Sequence, residues 1–284
     1  MRINRVSVTI VFMLVLVVFT TALRAENVLF IGNSYTYGAG SAVLTNGGVP
    51  KLFEAIAAAK GKSISTTMLT AGGKDFAFHL KREATLATLS SQRWDWVVIQ
   101  NLSTQPTHIG NLDQHLNDAE AFYKVIREKA PAAHIMIYET WARADGNAFY
   151  SGSSSKTSFV NRAEMNLELR KNYAETEQRL EALEPGDQVA MARVGAAFEK
   201  CLSKYPELNL SSGDLHHASA DGSYLAALVI YSSVFNDSPS GAIRQFSGVQ
   251  IDENHARKLQ EVATGLWKSE RSFKKKKLWQ RTKP

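Results

Sequence analysis

Five short apolar runs, each separated from the next by a stretch of helical composition, limit what this chain can fold into more than any other feature. The runs are residues 28–31, 63–69, 96–100, 135–139 and 189–194. Between them, residues 50–60, 75–89, 117–129 and 162–183 carry helical composition or apolar spacing near 3.6, and 195–204, 223–235 and 254–269 read as three further helices. Strand and helix in alternation predict a parallel sheet covered on both faces. The expected fold class is therefore α/β, a three-layer, flavodoxin-like, doubly wound sheet of five strands. In the common order of such sheets the first and third strands lie side by side at the switch point, and ligands collect at the carboxyl ends of the strands.

The two ends of the chain read differently from its body. Arg2 and Arg5 precede an apolar run over 6–23, followed by Arg24-Ala25-Glu26, which is the order of a secretory signal peptide cleaved after Ala25. The other reading is an uncleaved membrane anchor. Both place the folded part outside the cytoplasm, secreted or periplasmic. Of the formal charge of +6, residues 1–25 hold +3 and 268–284 hold +7, so the body over 26–267 is mildly acidic at −4. The expected organisation is thus a signal peptide (1–25), one domain (26–267) and a basic tail (268–284). Membrane contact is expected only through an uncleaved leader or that tail, and no nucleic-acid-binding motif is present. The single cysteine, Cys201, has no internal partner, so the core must hold the fold.

The first strand ends in Asn27 to Thr36, NVLFIGNSYT, where Gly32 closes the apolar run before Asn33-Ser34. Such a strand delivers the Ser34 hydroxyl to the carboxyl edge of the sheet, although a serine there also serves as a turn former or helix cap. At the far end, Asp214-Leu215-His216-His217 supplies a carboxylate and an imidazole three residues apart. Asp214, His216 and His217 would also start a metal site with His79 or His108. No helical His-x-x-x-His spacing supports one, and neither a metal nor another cofactor is expected. The glycines over 32–48 lack Gly-Lys-Ser/Thr, which argues against nucleotide binding. Residues 143–158, rich in glycine and serine, read as a mobile loop over the site or a surface insertion. Trp94 and Trp96 read as core. Trp141, just past the fourth strand, reads as core or as a sugar-stacking ring.

Ile31-Gly32-Asn33-Ser34 resembles the first block of the GDSL-like, or SGNH, hydrolases, and Asp214 with His217 resembles their last block, Asp-x-x-His. The strand order is similar over nearly the whole mature chain, while the specific motifs cover about a tenth of it. The resemblance implies acyl transfer to Ser34, with His217 as general base and Asp214 fixing its tautomer. His216 is the competitor for the base. It also implies an oxyanion hole from the N–H of Ser34, a glycine N–H after the second strand (Gly73, with Gly72 as the alternative) and a side-chain amide. The usual Gly-x-Asn-Asp block is absent. Val97-Val98-Ile99-Gln100-Asn101-Leu102-Ser103 stands in its place and resembles the Gln-Gly-Glu-Ser block of acetylxylan and sialate O-acetylesterases, so Gln100 is the expected donor, with Asn101 as the alternative. "IGNSYT", "WDWVVIQ" and "IYETWAR" are similar to an exported bacterial SGNH-like group. The function so implied is a secreted serine esterase removing a small acyl group, acetyl foremost, from a carbohydrate. The alternatives are a lipase or lysophospholipase of the same chemistry, and a non-catalytic module that binds glycan or envelope polymer.

Overall fold

The computed structural model describes residues 24–183 and 188–281, the side chains of 273–281 excepted. Of the expected leader over 1–25, residues 1–23 lie outside the described residues. Five strands form one parallel sheet: β1 (Glu26–Gly32), β2 (Ile64–Thr70), β3 (Trp96–Ile99), β4 (His134–Tyr138) and β5 (Val189–Ala192), in the order β2-β1-β3-β4-β5. β1 and β3 are neighbours in parallel register, Val28 opposite Trp96 and Ile31 opposite Ile99. The strand order changes direction at this pair, as expected for a doubly wound sheet.

Alternation along the strands divides the interior into two cores. Val28, Phe30, Val98, Met136, Tyr138 and Ala192 face α2 (Gly48–Ala59), α7 (Val194–Lys204), α8 (Ala220–Phe235) and α9 (Glu253–Arg281). Leu29, Ile31, Val97, Ile99, Ile135 and Ile137 face α3 (Phe76–Lys81), α4 (Glu83–Ser90), α5 (Leu112–Lys129) and α6 (Arg162–Leu183). Both faces of each central strand are therefore buried, which is why these segments read as unbroken apolar runs. α1 (Ser34–Tyr37) is a single turn directly after β1.

Several elements differ from the expected ones, among them α5, which begins at Leu112 instead of 117. The helix expected over 75–89 is two helices, because Arg82 takes an extended conformation (φ −78°, ψ 114°) between α3 and α4. α9 continues through the basic segment to Arg281 instead of stopping near 269. A small hairpin of β6 (Gln245–Phe246) and β7 (Val249–Gln250), too short to leave a periodic signal, precedes α9. The loop over 143–158 is tied down: Ser151 N–H donates to Phe159 O at 3.1 Å, Phe159 N–H to Phe149 O at 2.7 Å, and Tyr150 Oη to Arg143 O at 2.7 Å. Trp141 is core, 1% exposed and stacked between Tyr35 and Phe198 with ring centroids 4.2 and 4.3 Å away.

α8 is buried along nearly its whole length, and its first turn meets the chain just before the Asp214 loop: a Cβ on Gly222 would collide with the Leu210 carbonyl and approach Phe198 to 3.0 Å. Gly222→Ala should lower stability by about 1–3 kcal/mol through this overpacking, read as a lower urea midpoint with an unchanged slope. A midpoint equal to wild type would show that the contact yields without cost.

Candidate active site

Ser34 begins α1 at the carboxyl end of β1, and the turn that carries it is held by side chains from three directions. Asn33 caps the turn, its Oδ1 accepting from Tyr35 N–H at 3.2 Å. Its Nδ2 donates to Lys74 O at 2.9 Å, which draws the turn after β2 against the turn after β1. Gln100, at the end of β3, accepts from Asn33 N–H and from Thr36 Oγ1, each at 3.0 Å. His79 of α3 donates through Nε2 to Gly32 O at 2.9 Å, a tautomer fixed because the carbonyl can only accept. Burial holds the His79 imidazole below its ordinary pKa. Gly32 is required here because a Cβ would run into Thr36 Oγ1 and Gln100 Oε1.

With these bonds made, the Ser34 hydroxyl and its backbone N–H have no hydrogen-bond partner among the described residues, nor does the N–H of Gly73. Gly73 has φ +66°, and the space where its side chain would be is open. The turn that carries Gly73 is bonded through Lys74 O to Asn33, the residue before Ser34, so the turns after β1 and β2 lie together, as an oxyanion hole built from both requires.

The imidazole comes from the loop before α8. Ser211 and Ala218 bridge its base, and Ser212 N–H donates to His217 O at 2.8 Å. Leu215, at φ 61°, turns the chain back. His217 Nδ1 and Asp214 Oδ2 lie 2.6 Å apart. Asp214 Oδ1 accepts from Ser212 Oγ at 2.6 Å, His216 N–H at 3.0 Å and His217 N–H at 2.9 Å. Partial burial pushes the Asp214 pKa up, but these bonds outweigh it and hold the carboxyl well below the usual carboxylate range. His217 therefore has a fixed anionic partner on Nδ1, which leaves Nε2 as the working nitrogen.

The His217 loop rests on the residue next to the serine. Tyr35 presents its ring edge-on to His217 at 5.6 Å between centroids and lies 6.5 Å from His216. Trp141 Nε1 donates to His216 O at 3.1 Å, and Ala144 N–H to Leu215 O at 2.9 Å. Gly40 passes so close that a Cβ would meet Ser212 and His217. His216 stacks on His217 at 3.9 Å. Its imidazole is held below its ordinary pKa by burial first, then by the Arg143 and His217 charges.

The two amides expected to complete the oxyanion hole are turned inward. Gln100 spends Oε1 on the Ser34 turn, and its Nε2 donates to Asn101 O. Asn101 accepts at Oδ1 from Phe76 N–H and Leu102 N–H, both at 2.8 Å, and donates through Nδ2 to His115 Nδ1 at 2.7 Å. Both side chains brace the site from behind, and Ser103 receives Arg143 Nη2 at 3.0 Å. Tyr35, His79, His115 and Arg143 are the parts that reading the chain by motif passes over. Tyr35 and Arg143 had a signal, inside "IGNSYT" and at the end of "IYETWAR".

Asp214, His216 and His217 present ligand atoms within 4.8 Å of one another and so could hold a metal ion, though both oxygens of Asp214 are already hydrogen-bonded. His79 and His108 do not join them: His79 is bound to Gly32, and His108 Nδ1 lies 2.6 Å from Glu168.

No protein-family model and no curated protein matches the sequence. Solved structures match the fold. A DUF4886 family protein from Bacteroides uniformis superposes with a TM-score of 0.66 at 16% identity, over 85% of this chain and 94% of that one. A protein from Slackia heliotrinireducens grouped with the SGNH hydrolases superposes at 0.57 and 22% identity, over 74% of this chain and all of that one. The fold is that of the SGNH hydrolases. A carbohydrate esterase family 2 enzyme from Myceliophthora fergusii shares this SGNH fold at 0.52 and 12% identity, over 74% of this chain and 65% of that one, which also carries a carbohydrate-binding domain.

The wire behind the site is titratable. Asn101 Nδ2–H points at His115 Nδ1, whose Nε2–H donates to Thr176 Oγ1 at 3.0 Å, and that hydroxyl donates to Asn172 O at 2.8 Å. A proton on Nδ1 would face an amide N–H, and burial pushes the His115 pKa down from 6.5 to about 3. Between those values the unfolded chain binds a proton that the folded chain does not, so stability falls as pH drops below 6.5. Unfolding free energies from urea titrations at pH 7 and pH 5 should differ by about 2 kcal/mol more in wild type than in His115→Gln. Equal pH dependence would contradict a neutral buried His115.

Proposed function

We propose that the protein is a serine esterase in which Ser34 is the nucleophile, His217 the general acid and base, and Asp214 its orienting carboxylate. The observation that carries this reading is the 2.6 Å pairing of His217 Nδ1 with Asp214, on a loop packed against Tyr35 beside an otherwise unbonded Ser34 hydroxyl. Ser34 Oγ adds to the ester carbonyl carbon while its proton passes to His217 Nε2. The resulting oxyanion is held by the N–H groups of Ser34 and Gly73. Collapse expels the alcohol, which takes the proton from His217. Water then attacks the acyl-enzyme with His217 as base, and the acid is released. In this reading the Ser34 Oγ–His217 Nε2 hydrogen bond is made in the complex with substrate.

The substrate in this reading is a small acyl ester, acetyl foremost, on a carbohydrate. The Gln100 and Ser103 resemblance to O-acetylesterases supports it, as does the SGNH fold shared with a carbohydrate esterase. The apolar leader makes the proposed location secreted or periplasmic. A second reading, a non-catalytic glycan or envelope binder, is favoured by one observation: both candidate amides are bonded internally, so the hole has two backbone donors and no side-chain amide. Losing one such donor costs about 100- to 1000-fold in rate, which slows an esterase without abolishing it.

Hydrolysis of p-nitrophenyl acetate and butyrate by the mature protein separates the two. Acetate should be preferred. Ser34→Ala and His217→Ala should each lose about three orders of magnitude or more in kcat, and Asp214→Asn a comparable amount. His216→Ala should retain most activity. Wild type no faster than Ser34→Ala on either ester would favour the binder.

A further inference from the structure

Among the described residues, Arg143 is a cation with no carboxylate beside it. It is 8% exposed in the segment after β4, and no described acidic side chain lies within ion-pair distance of it. Its guanidinium donates to two neutral oxygens, Tyr35 Oη and Ser103 Oγ, and lies 5.6 Å from the Tyr35 ring centroid and 5.5 Å from that of Phe149. Aromatic faces return part of what burying a charge costs, but a buried cation without a counter-ion is normally selected against. The carboxylate of the site, Asp214, is spent on Ser212, His216 and His217.

The position is also built. Tyr150 Oη donates to the Arg143 carbonyl, and the next residue, Ala144, donates its N–H to Leu215 O. The ring that Arg143 holds by its hydroxyl is that of Tyr35, one residue from Ser34 and in contact with both histidines. Two of the five guanidinium N–H donors are used by the protein, and the planar fork matches a carboxylate in a way a lysine does not.

We propose that Arg143 binds a carboxylate carried by the ester substrate, so that the preferred substrates are anionic esters, an acylated acidic sugar foremost. This rests on the esterase reading of the same site and adds the charge of the substrate to it.

Two matched pairs locate the carboxylate. p-Nitrophenyl hemisuccinate against p-nitrophenyl butyrate places it on the acyl half, and acetylated methyl glucuronide against acetylated methyl glucoside places it on the alcohol half. Wild type should favour the charged member of one pair by about tenfold or more in kcat/KM. That ratio should fall to about one in Arg143→Gln and recover only in part in Arg143→Lys. No preference in either pair, or one that survives in Arg143→Gln, overturns the proposal. Because Arg143 also ties the loop to the core, a second measurement avoids the variant: calorimetric titration of Ser34→Ala with methyl glucuronide, succinate and methyl glucoside. One of the two carboxylates should bind and the neutral sugar should not; binding of neither carboxylate overturns the proposal. If no ester is turned over in a Ser34-dependent way but a carboxylate binds, the anion site stands and the esterase reading fails.

Discussion

One buried amide connects everything that positions Ser34. Gln100 extends from the end of β3, and its Oε1 takes both the Asn33 N–H and the Thr36 hydroxyl, so the first turn after β1 is set by the strand beside it. The bond is possible only because β1 and β3 are adjacent and parallel, with Gln100 N–H donating to Ile31 O at 2.9 Å as the ladder ends. Parallel pairing puts both carboxyl ends on one edge, and the two apolar cores on either side keep the pair in register. Inside, where competing water is absent, such a bond orients its partners strictly.

From that edge the site is assembled by chain segments far apart in sequence. β2 brings the Gly72-Gly73 turn, tied by Asn33 to Lys74. The segment after β4 brings Trp141 and Arg143 under the histidine loop. α8, buried nearly throughout, sets where that loop starts. The bracing side chains Asn33, His79, Gln100, Asn101 and His115 are all buried, and the Ser34 hydroxyl is the group they leave unbonded. A neutral buried histidine is stable only while its neighbours keep fixed donor and acceptor roles, and so the support of the site is coupled to pH through His115.

Much of this was legible in the chain. Strands buried on both faces read as apolar runs, and their alternation with helices predicts a doubly wound sheet whose common order puts β1 beside β3. Ser34 at the end of such a run, and Asp214 three residues before His217, are visible because local spacing decides where those groups sit. What sequence could not show is the direction a side chain faces. Gln100 and Asn101 have the chemistry of oxyanion donors, but their amides are consumed by Asn33, Thr36, Phe76 and His115, contacts that arise only when three loops meet. Arg143 closes a recognisable block, but only the fold shows that it is buried with no acidic partner among the described residues. The break at Arg82 and the two-residue strands before α9 fall below what periodicity resolves.

The central claim is that the bracing network presents Ser34 as a nucleophile served by His217. Its most direct test is labelling with a fluorophosphonate, which loses fluoride as the serine oxygen bonds to phosphorus, followed by peptide mass spectrometry. The account predicts a single adduct on Ser34, absent in Ser34→Ala and formed far more slowly in His217→Ala. No adduct on the folded protein, or one on another residue with Ser34 unmodified, would contradict it.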